Sequence, residues 1–412
     1  MYPALVDRFG TSLLSSVGVA SVGGSRLQGR ITASKEIEDF LTIGKRSFPR
    51  ARLRSPLWSP QTTSIDGVTG SKRTDFKTQA GQSAVVGGDH DTGTRHPETA
   101  DRLRAIRRGL SKRHGVEYRE GRLAAVETLE AVHDPEYVEA VREFCEAGGG
   151  VWDADTVAVE ATWEAARASA GLACWAAEAA LDGADGRDTP FSVGRPPGHH
   201  AETDEAMGFC FFNNTAVAAG AALERESVDR VAVFDWDVHH GNGTQEIFYD
   251  REDLFYGSIH ERGLFPGTGE VLETGGPDAR KTNLNVPFDG GAGDAEYAAV
   301  VNELLAPALG RFDPDLLVLS AGFDAHRHDP ISRMRVSTEG YGYLTNRVRE
   351  AADDCGAALA FVLEGGYGLD ALADSVGMVH EVFDGRDPLV PGAGLNADAE
   401  SVIDDVRDAH DL

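Results

Sequence analysis

Val231-Ala-Val-Phe-Asp235-Trp-Asp237-Val-His239-His240 is an apolar, β-branched run that ends in carboxylates and imidazoles. A second run, Leu316-Leu-Val-Leu-Ser320-Ala-Gly-Phe-Asp324, ends in the same way. Burying unpaired charge at the tip of an apolar strand is costly, and a bound cation would supply the compensating charge. Strand alternation puts Asp235, Asp237 and His239 on one side of the chain. Asp237 and His239 then reach one ion, and Asp324 closes a third position. One histidine and two aspartates leave coordination sites open for water and substrate, as a catalytic zinc site requires. The same donors accept Fe²⁺. In so acidic a chain, Asp-x-Asp-x-His alone would read as a solvated turn. Its place after an apolar run, with a second acid-ended run to match, favours the metal.

Outward from these two runs the pattern is regular. Short β-type segments at 191–194, 254–259 and 360–363 join 231–235 and 316–320, and helical stretches at 163–181, 215–225, 295–309 and 338–352 separate several of them. A further helix is expected at 97–114. This alternation implies an α/β fold, a doubly wound, mostly parallel sheet with helices on both faces. The near-continuous apolar strands fit burial from both sides. Ligands of such sheets bind beyond the carboxyl ends of the strands. Asp235, Asp237, Asp324 and the Gly365-Gly-Tyr367 turn all fall there.

The net charge of −28 over 412 residues is unevenly spread. Residues 1–88 carry a net +6, are rich in Ser, Thr, Gly and Arg, and show no sustained period. They are read as a disordered tail or as an extension upstream of the true start. Residues 89–412, the expected catalytic domain, carry −34 and have Lys112 and Lys281 as their only lysines. Such a surface suits molar salt, where self-repulsion is screened, and a halophilic source is expected. It also argues against direct duplex DNA binding, which needs basic patches. No apolar stretch reaches the roughly 20 residues that span a bilayer. The small apolar segment 13–22 lacks the basic start and cleavage pattern of a signal peptide. Cys145, Cys174, Cys210 and Cys355 are widely spaced and read as reduced residues of a cytoplasmic protein.

Three further segments carry chemistry. In Arg195-Pro-Pro-Gly-His199-His200 the prolines and glycine fix a sharply turned loop. That rigidity can hold two imidazoles at one site, and a neutral histidine is a natural base near pH 7. An unconstrained His-His pair would read as a surface loop. Glu364-Gly-Gly-Tyr367 follows a β run; its glycines permit close backbone approach, and the phenol could donate to a developing oxyanion. Gly208-Phe209 and Phe265 sit in Gly/Pro-rich loops and could wall a narrow apolar channel, whereas Phe211 and Phe212 read as core.

Together these segments resemble the histone deacetylase and acetylpolyamine amidohydrolase superfamily. The matches are His96-Pro-Glu98 with Arg102-Leu-Arg-Ala-Ile106, His133-Asp-Pro-Glu-Tyr137, Ser258-Ile-His260, and residues 195–201, 208–213, 235–245, 265–269, 322–330 and 364–369. They run in the family's order, and 235–245 resembles the class II branch. The resemblance implies an arginase-like α/β fold and hydrolytic deacetylation. It implies zinc on Asp237, His239 and Asp324, with His200 as general base and acid and His199 as its electrostatic partner. Asp235 would orient His199, Asn242 would stand behind His200, and Tyr367 would polarise the acetyl carbonyl. Gly208, Phe209 and Phe265 would line an acyl-lysine tunnel. A potassium ion is implied near Asp235, Asp237, His239, Ser258 and Ile259.

The implied substrates are acetylated protein lysines, with acetylated polyamines as the main rival. Ile331, after Asp329-Pro330, stands where polyamine-selective relatives can carry an acid, which favours acyl-lysine; the acidic surface pulls the other way. A binuclear ureohydrolase would need more Asp/His ligands and has no use for the His-His loop. A silent acyl-amine binding module would not need both histidines and Tyr367. Besides a first strand and following loop that are hard to find before Asp89, three departures from the family pattern stand out. The usual His-Pro-Glu-Arg-Pro is His96-Pro-Glu-Thr-Ala100, Asn242 replaces the acid of class I members, and Gly368 follows Tyr367 where asparagine is common. The second is expected to lower the His200 pKa, the third to loosen the tyrosine loop.

Overall fold

The computed structural model describes residues 89–119, 121–183, 189–392 and 394–412. The expectations for residues 1–88 lie outside the described residues. Six strands form one parallel sheet: β1 (Phe191–Ser192), β2 (Val231–Asp235), β3 (Leu254–Glu261), β4 (Asn283–Phe288), β5 (Leu316–Ala321) and β6 (Ala358–Leu363). Their spatial order is β1-β6-β5-β2-β3-β4, every neighbouring pair parallel. From β2 the chain proceeds outward through β3 and β4, then returns to the other side of β2 for β5 and β6. The reversal lies between β2 and β5, where Asp235 pairs in register with Ser320. A crevice at such a reversal is where this class of sheet binds ligands.

Alternation along each strand feeds two cores. Ala232, Phe234, Phe255, Leu317, Leu319 and Phe361 pack with helices Asp101–Leu110, Thr338–Cys355, Leu369–Phe383 and Ala397–His410. Val231, Val233, Tyr256, Leu316, Val318 and Val362 face the alanine-rich helices Thr162–Leu181 and Asn214–Leu223. Alanine lets these helices lie close to the β-branched face of the sheet. Helices therefore cover both faces, as the sequence pattern implied.

Several boundaries differ from expectation. The helix expected at 97–114 runs only over Asp101–Leu110. The stretch 295–309 is helical but passes through a π-turn at Val301–Leu305. Strand β4 gave no β signal because it contains Asn283, Asn285 and Pro287; proline is tolerated there because β4 is an edge strand. The described cysteines are all free. Among the described residues, no helix is long and apolar enough to cross a membrane.

Candidate active site

The strand period ends at Asp235, which corrects the expectation that alternation alone aligns Asp235, Asp237 and His239. Two successive turns bring the candidate ligand side chains round instead. Asp235 Oδ1 accepts from the Asp237 N–H at 3.0 Å, and Asp237 Oδ1 accepts from the His239 N–H at 2.9 Å. Such side-chain-to-backbone bonds compete with strand pairing and curl the chain. Donor atoms of Asp237, His239 and Asp324 consequently lie within 4.8 Å of one another. His239 Nδ1 is 3.0 Å from Asp237 Oδ1 and 3.3 Å from Asp324 Oδ2. Donors on a tetrahedral zinc ion, each about 2.0 Å from it, sit about 3.3 Å apart.

The surroundings fit a cation as well as the ligands do. Asp324 Oδ2 is buried and accepts no hydrogen bond. A Cβ on Gly365 would lie 2.1 Å from that oxygen, and one on Gly322 would lie 1.9 Å from Asp237 Oδ2. Only glycine leaves room for the carboxylates. Their other contacts are backbone: Gly365 N–H donates to Asp237 Oδ2 at 2.8 Å, and Val238 N–H to Asp324 Oδ1 at 2.9 Å. Burial alone would raise the Asp237 carboxyl, but His199 and His239 reverse this and hold it far below the usual carboxylate range. These residues suit one hard or borderline divalent cation.

The two imidazoles lie beside this cluster, their ring centroids 4.0 Å apart. Glu364, fully buried at the end of β6, fixes their loop by accepting from Gly198 N–H at 2.7 Å and His199 N–H at 3.2 Å. The two histidines have different partners. His199 Nδ1 meets Asp235 Oδ2 at 3.0 Å, and its Nε2 is 3.8 Å from Asp237 Oδ1. Burial would lower His199, yet Asp237 and Asp235 outweigh it and push it up to about 10. His200 Nδ1 meets the neutral amide oxygen of Asn242 at 2.8 Å. Burial, then the neighbouring His199 and His239, hold His200 well below the ordinary histidine value. One ring is thus cationic and the other neutral, which is the division an acid and a base require.

Around them stand the aromatic residues singled out in the sequence. Phe265 is 42% exposed and meets the His200 ring edge-on at 5.0 Å. A Cβ on Gly208 would lie 2.4 Å from His200 Cδ2 and 2.8 Å from Phe265 Cε1, so Gly208 keeps this wall open. Phe209 packs edge-on against Tyr367 at 6.0 Å and against His96 at 4.6 Å. Phe211 and Phe212 are core. Burial, opposed by Arg102, raises the Tyr367 phenol well above its ordinary value, so it stays a donor. The slack expected at Gly368 is countered by Asp329, whose Oδ2 accepts from the Tyr367 and Gly368 N–H groups at 2.7 and 2.8 Å. Ser258 pairs in register with Asp235, with Ile259 next along β3.

Comparison with known proteins bears on the family and the fold. The histone deacetylase domain family matches residues 96–383. The chain belongs to the histone deacetylase family. A histone deacetylase-like amidohydrolase of Pseudomonas aeruginosa is 44% identical over 275 residues, covering 66% of this chain and 71% of that protein. A probable deacetylase of Methanothermobacter thermautotrophicus is 42% identical, covering 68% and 83%. The crystal structure of the HDA15 HD domain superposes with a TM-score of 0.71 at 36% identity, covering 76% of this chain and 88% of that one. This deacetylase accordingly hydrolyses acetyl amides on an arginase/deacetylase-like α/β fold.

Four acids around this cluster went unread in the sequence. Glu98 is fully buried and accepts from Arg195 Nε at 2.8 Å, Arg195 Nη2 at 2.6 Å and Arg102 Nη1 at 3.3 Å. Arg195 opens the His-His loop; Arg102 donates to the carbonyls of Glu364 and of Gly366 (2.7 Å) and lies 5.0 Å from the Tyr367 ring centroid. Glu98 therefore joins the imidazole loop to the tyrosine loop. Glu364, Asp329 and Glu202 are the others. A cue was available for Glu98 and Glu364: acids inside otherwise apolar or proline-flanked segments.

Proposed function

We propose that this enzyme hydrolyses the acetyl amide of acetyl-lysine in proteins, using one zinc ion held by Asp237, His239 and Asp324. The observation that carries the reading is the convergence of those three donors beside a neutral His200 and a protonated Tyr367. A bound zinc supplies Lewis-acid polarisation of the carbonyl and acidification of water. The chain's own groups do the rest. His200 Nε2 accepts the proton of the attacking water, while His199, charged against Asp235, stabilises the developing negative charge. The Tyr367 hydroxyl donates to the oxyanion. A protonated histidine then delivers a proton to the leaving amine. Gly208, Phe209 and Phe265 form the acyl-lysine tunnel in this scheme. Potassium near Asp235, Asp237, His239, Ser258 and Ile259 would offset part of the buried negative charge.

Support for a lysine substrate comes from Ile331, a half-buried apolar residue after Asp329-Pro330. The −34 charge of residues 89–412 favours polycations and keeps acetylated polyamines as the second reading. The same charge supports a cytoplasmic, high-salt setting. Rates on an acetyl-lysine peptide and on N-acetylated polyamines, measured side by side in high potassium chloride, test the assignment. The peptide should give the higher kcat/KM. A polyamine preference of tenfold or more, about 1.4 kcal/mol in transition-state binding, would transfer the proposal to the second reading.

A further inference from the structure

We infer that Glu202 is a positioning residue for His200, acting through Asn242; the inference rests on His200 being the base. Asn242 Nδ2 donates to Glu202 Oε1 at 2.7 Å, while Asn242 Oδ1 meets His200 Nδ1 at 2.8 Å. The other groups that Nδ2 faces, His200 O and Met207 Sδ, both at 3.4 Å, are also acceptors. An amide can in principle present either end, but a carboxylate only accepts. Glu202 therefore locks the amide with its oxygen toward His200. That oxygen in turn requires the hydrogen to sit on His200 Nδ1. The lone pair is left on Nε2, the nitrogen that must take a proton from water. Without the carboxylate only the two 3.4 Å contacts would favour that orientation, and an Asn242 that flips would donate to Nδ1 and select the unproductive tautomer.

The turn that carries Glu202 is braced for this purpose. Its carbonyl meets His133 Nδ1 at 2.9 Å, and Asp134 N–H donates to Thr203 O at 2.8 Å. Glu246 Oε2, on helix Asn242–Phe248, accepts from Thr203 N at 3.0 Å and Thr203 Oγ1 at 2.6 Å. Glu202 N–H donates to Glu205 O at 3.0 Å. The His133-Asp-Pro-Glu-Tyr137 segment, which makes no contact with the reacting groups, thus gains a role as the brace of this turn. The arrangement also separates the two imidazoles electrically. Asp235 touches His199 directly, whereas the charge of Glu202 reaches His200 only across a neutral amide. His200 is oriented without being made strongly basic.

The test uses Glu202→Ala, Glu202→Gln, Asn242→Asp and the Glu202→Gln/Asn242→Asp double variant, with His200→Ala as control. An acetyl-lysine peptide is the substrate, and zinc content and circular dichroism are measured on every sample. Glu202→Ala should lose about 10- to 100-fold in kcat, the range seen for partners that orient a site's side chains, with KM within about twofold and zinc unchanged. Glu202→Gln should also lose activity, because glutamine can satisfy either orientation of Asn242. Asn242→Asp alone sets two carboxylates against each other. In the double variant the acid and amide exchange places, the introduced amide donates to the introduced carboxylate, and kcat should exceed that of either single variant. A merely structural role for Glu202 predicts no such recovery. Glu202 variants within about twofold of the parent in kcat, or additive losses in the double, overturn the inference while the function above stands. Retained turnover in His200→Ala removes the base assignment itself, and the inference falls with it.

Discussion

Glu98→Gln isolates the element that ties the His199-His200 loop to the Tyr367 loop. The substitution is nearly isosteric, but it converts an acceptor-only carboxylate into an amide whose NH₂ must face a guanidinium. The bidentate bond to Arg195, at 2.8 and 2.6 Å, cannot survive, and the 3.3 Å bond to Arg102 weakens. Both arginines are fully buried, so two cations lose their common counter-charge in the interior. Breaking a buried pair by removing one partner costs about 3–5 kcal/mol. The carboxyl itself gives an independent figure. Burial would raise it, but the Arg195 hydrogen bonds and the charges of Arg195 and Arg102 bring it from 4.5 down to about 2. That difference corresponds to about 3 kcal/mol of preference for the ionised form.

The assay is equilibrium urea unfolding in high potassium chloride, followed by tryptophan fluorescence, with turnover measured on the same samples. The midpoint should fall by about 1–2 M urea. Turnover should fall too, since Arg195 and Arg102 hold the His199-His200 and Tyr367 loops. The effect has a defined pH window. Because the folded carboxyl is depressed, its contribution is fully present above pH 4.5 and is lost as pH falls toward 2. Parent and variant should therefore converge across that window. A midpoint within about 0.3 M of the parent at about pH 7.5, with full turnover, would refute the claim that Glu98 bridges the loops.

Tyr367→Phe should reduce kcat by about 10²–10³-fold, as loss of an oxyanion donor does, while metal content stays at the parent value; near-normal turnover would remove the phenol from the mechanism. Acid should destabilise the enzyme well above the pH at which the Glu98 carboxylate is protonated. Burial lowers His90 and His133 from 6.5 to about 4, so the unfolded chain binds protons first, and their contribution, whole above pH 6.5, is lost as pH falls to 4. Each should cost about 2 kcal/mol at about pH 5, visible as a lower urea midpoint than at about pH 7.5. Dialysis against a chelator should lower the thermal unfolding midpoint, and zinc should restore it; a midpoint indifferent to both would show that the Asp237-His239-Asp324 cluster holds no stabilising ion.

The strands that carry the site were legible because burial on both faces leaves little but apolar residues before each tip, as in Val231–Asp235 and Leu316–Ala321. Their spatial adjacency was not, since sheet order is set by helices that cover faces rather than by the strands' own residues. Strand β4 stayed hidden behind its asparagines and proline. The ligands and imidazoles were readable as residue types out of place: charge on an apolar run, or His-His behind two prolines. The partners of the acids that organise them were not. Glu98 meets Arg195 97 residues on, and Glu364 holds a backbone N–H 166 residues back. A carboxylate whose partner is a distant amide, the Asn242 side chain for Glu202 and the Tyr367 and Gly368 backbone for Asp329, leaves no local pattern, so both looked like ordinary members of an acidic chain.

The buried acids also explain why the ligands should not be separable from the fold. Asp237, beyond β2, holds the backbone of Gly365 beyond β6. Asp324, beyond β5, holds Val238 beyond β2. Glu364, ending β6, holds Gly198 and His199 beyond β1. Each strand tip is thus fastened to another by a carboxylate that gives one oxygen to a backbone N–H of that other tip. In Asp237 and Asp324 the second oxygen is turned toward His239. One oxygen closes the crevice and the other offers a ligand. A cation drawn to the second pair of lone pairs relieves the repulsion between the two carboxylates that the first pair has fixed in place. Metal affinity and loop order are then one quantity measured in two ways. Replacing either aspartate by alanine removes a candidate ligand and a bond to another tip's backbone together, whereas replacing His239, whose side chain meets the two carboxylates but no backbone N–H, should cost metal with less loss of order.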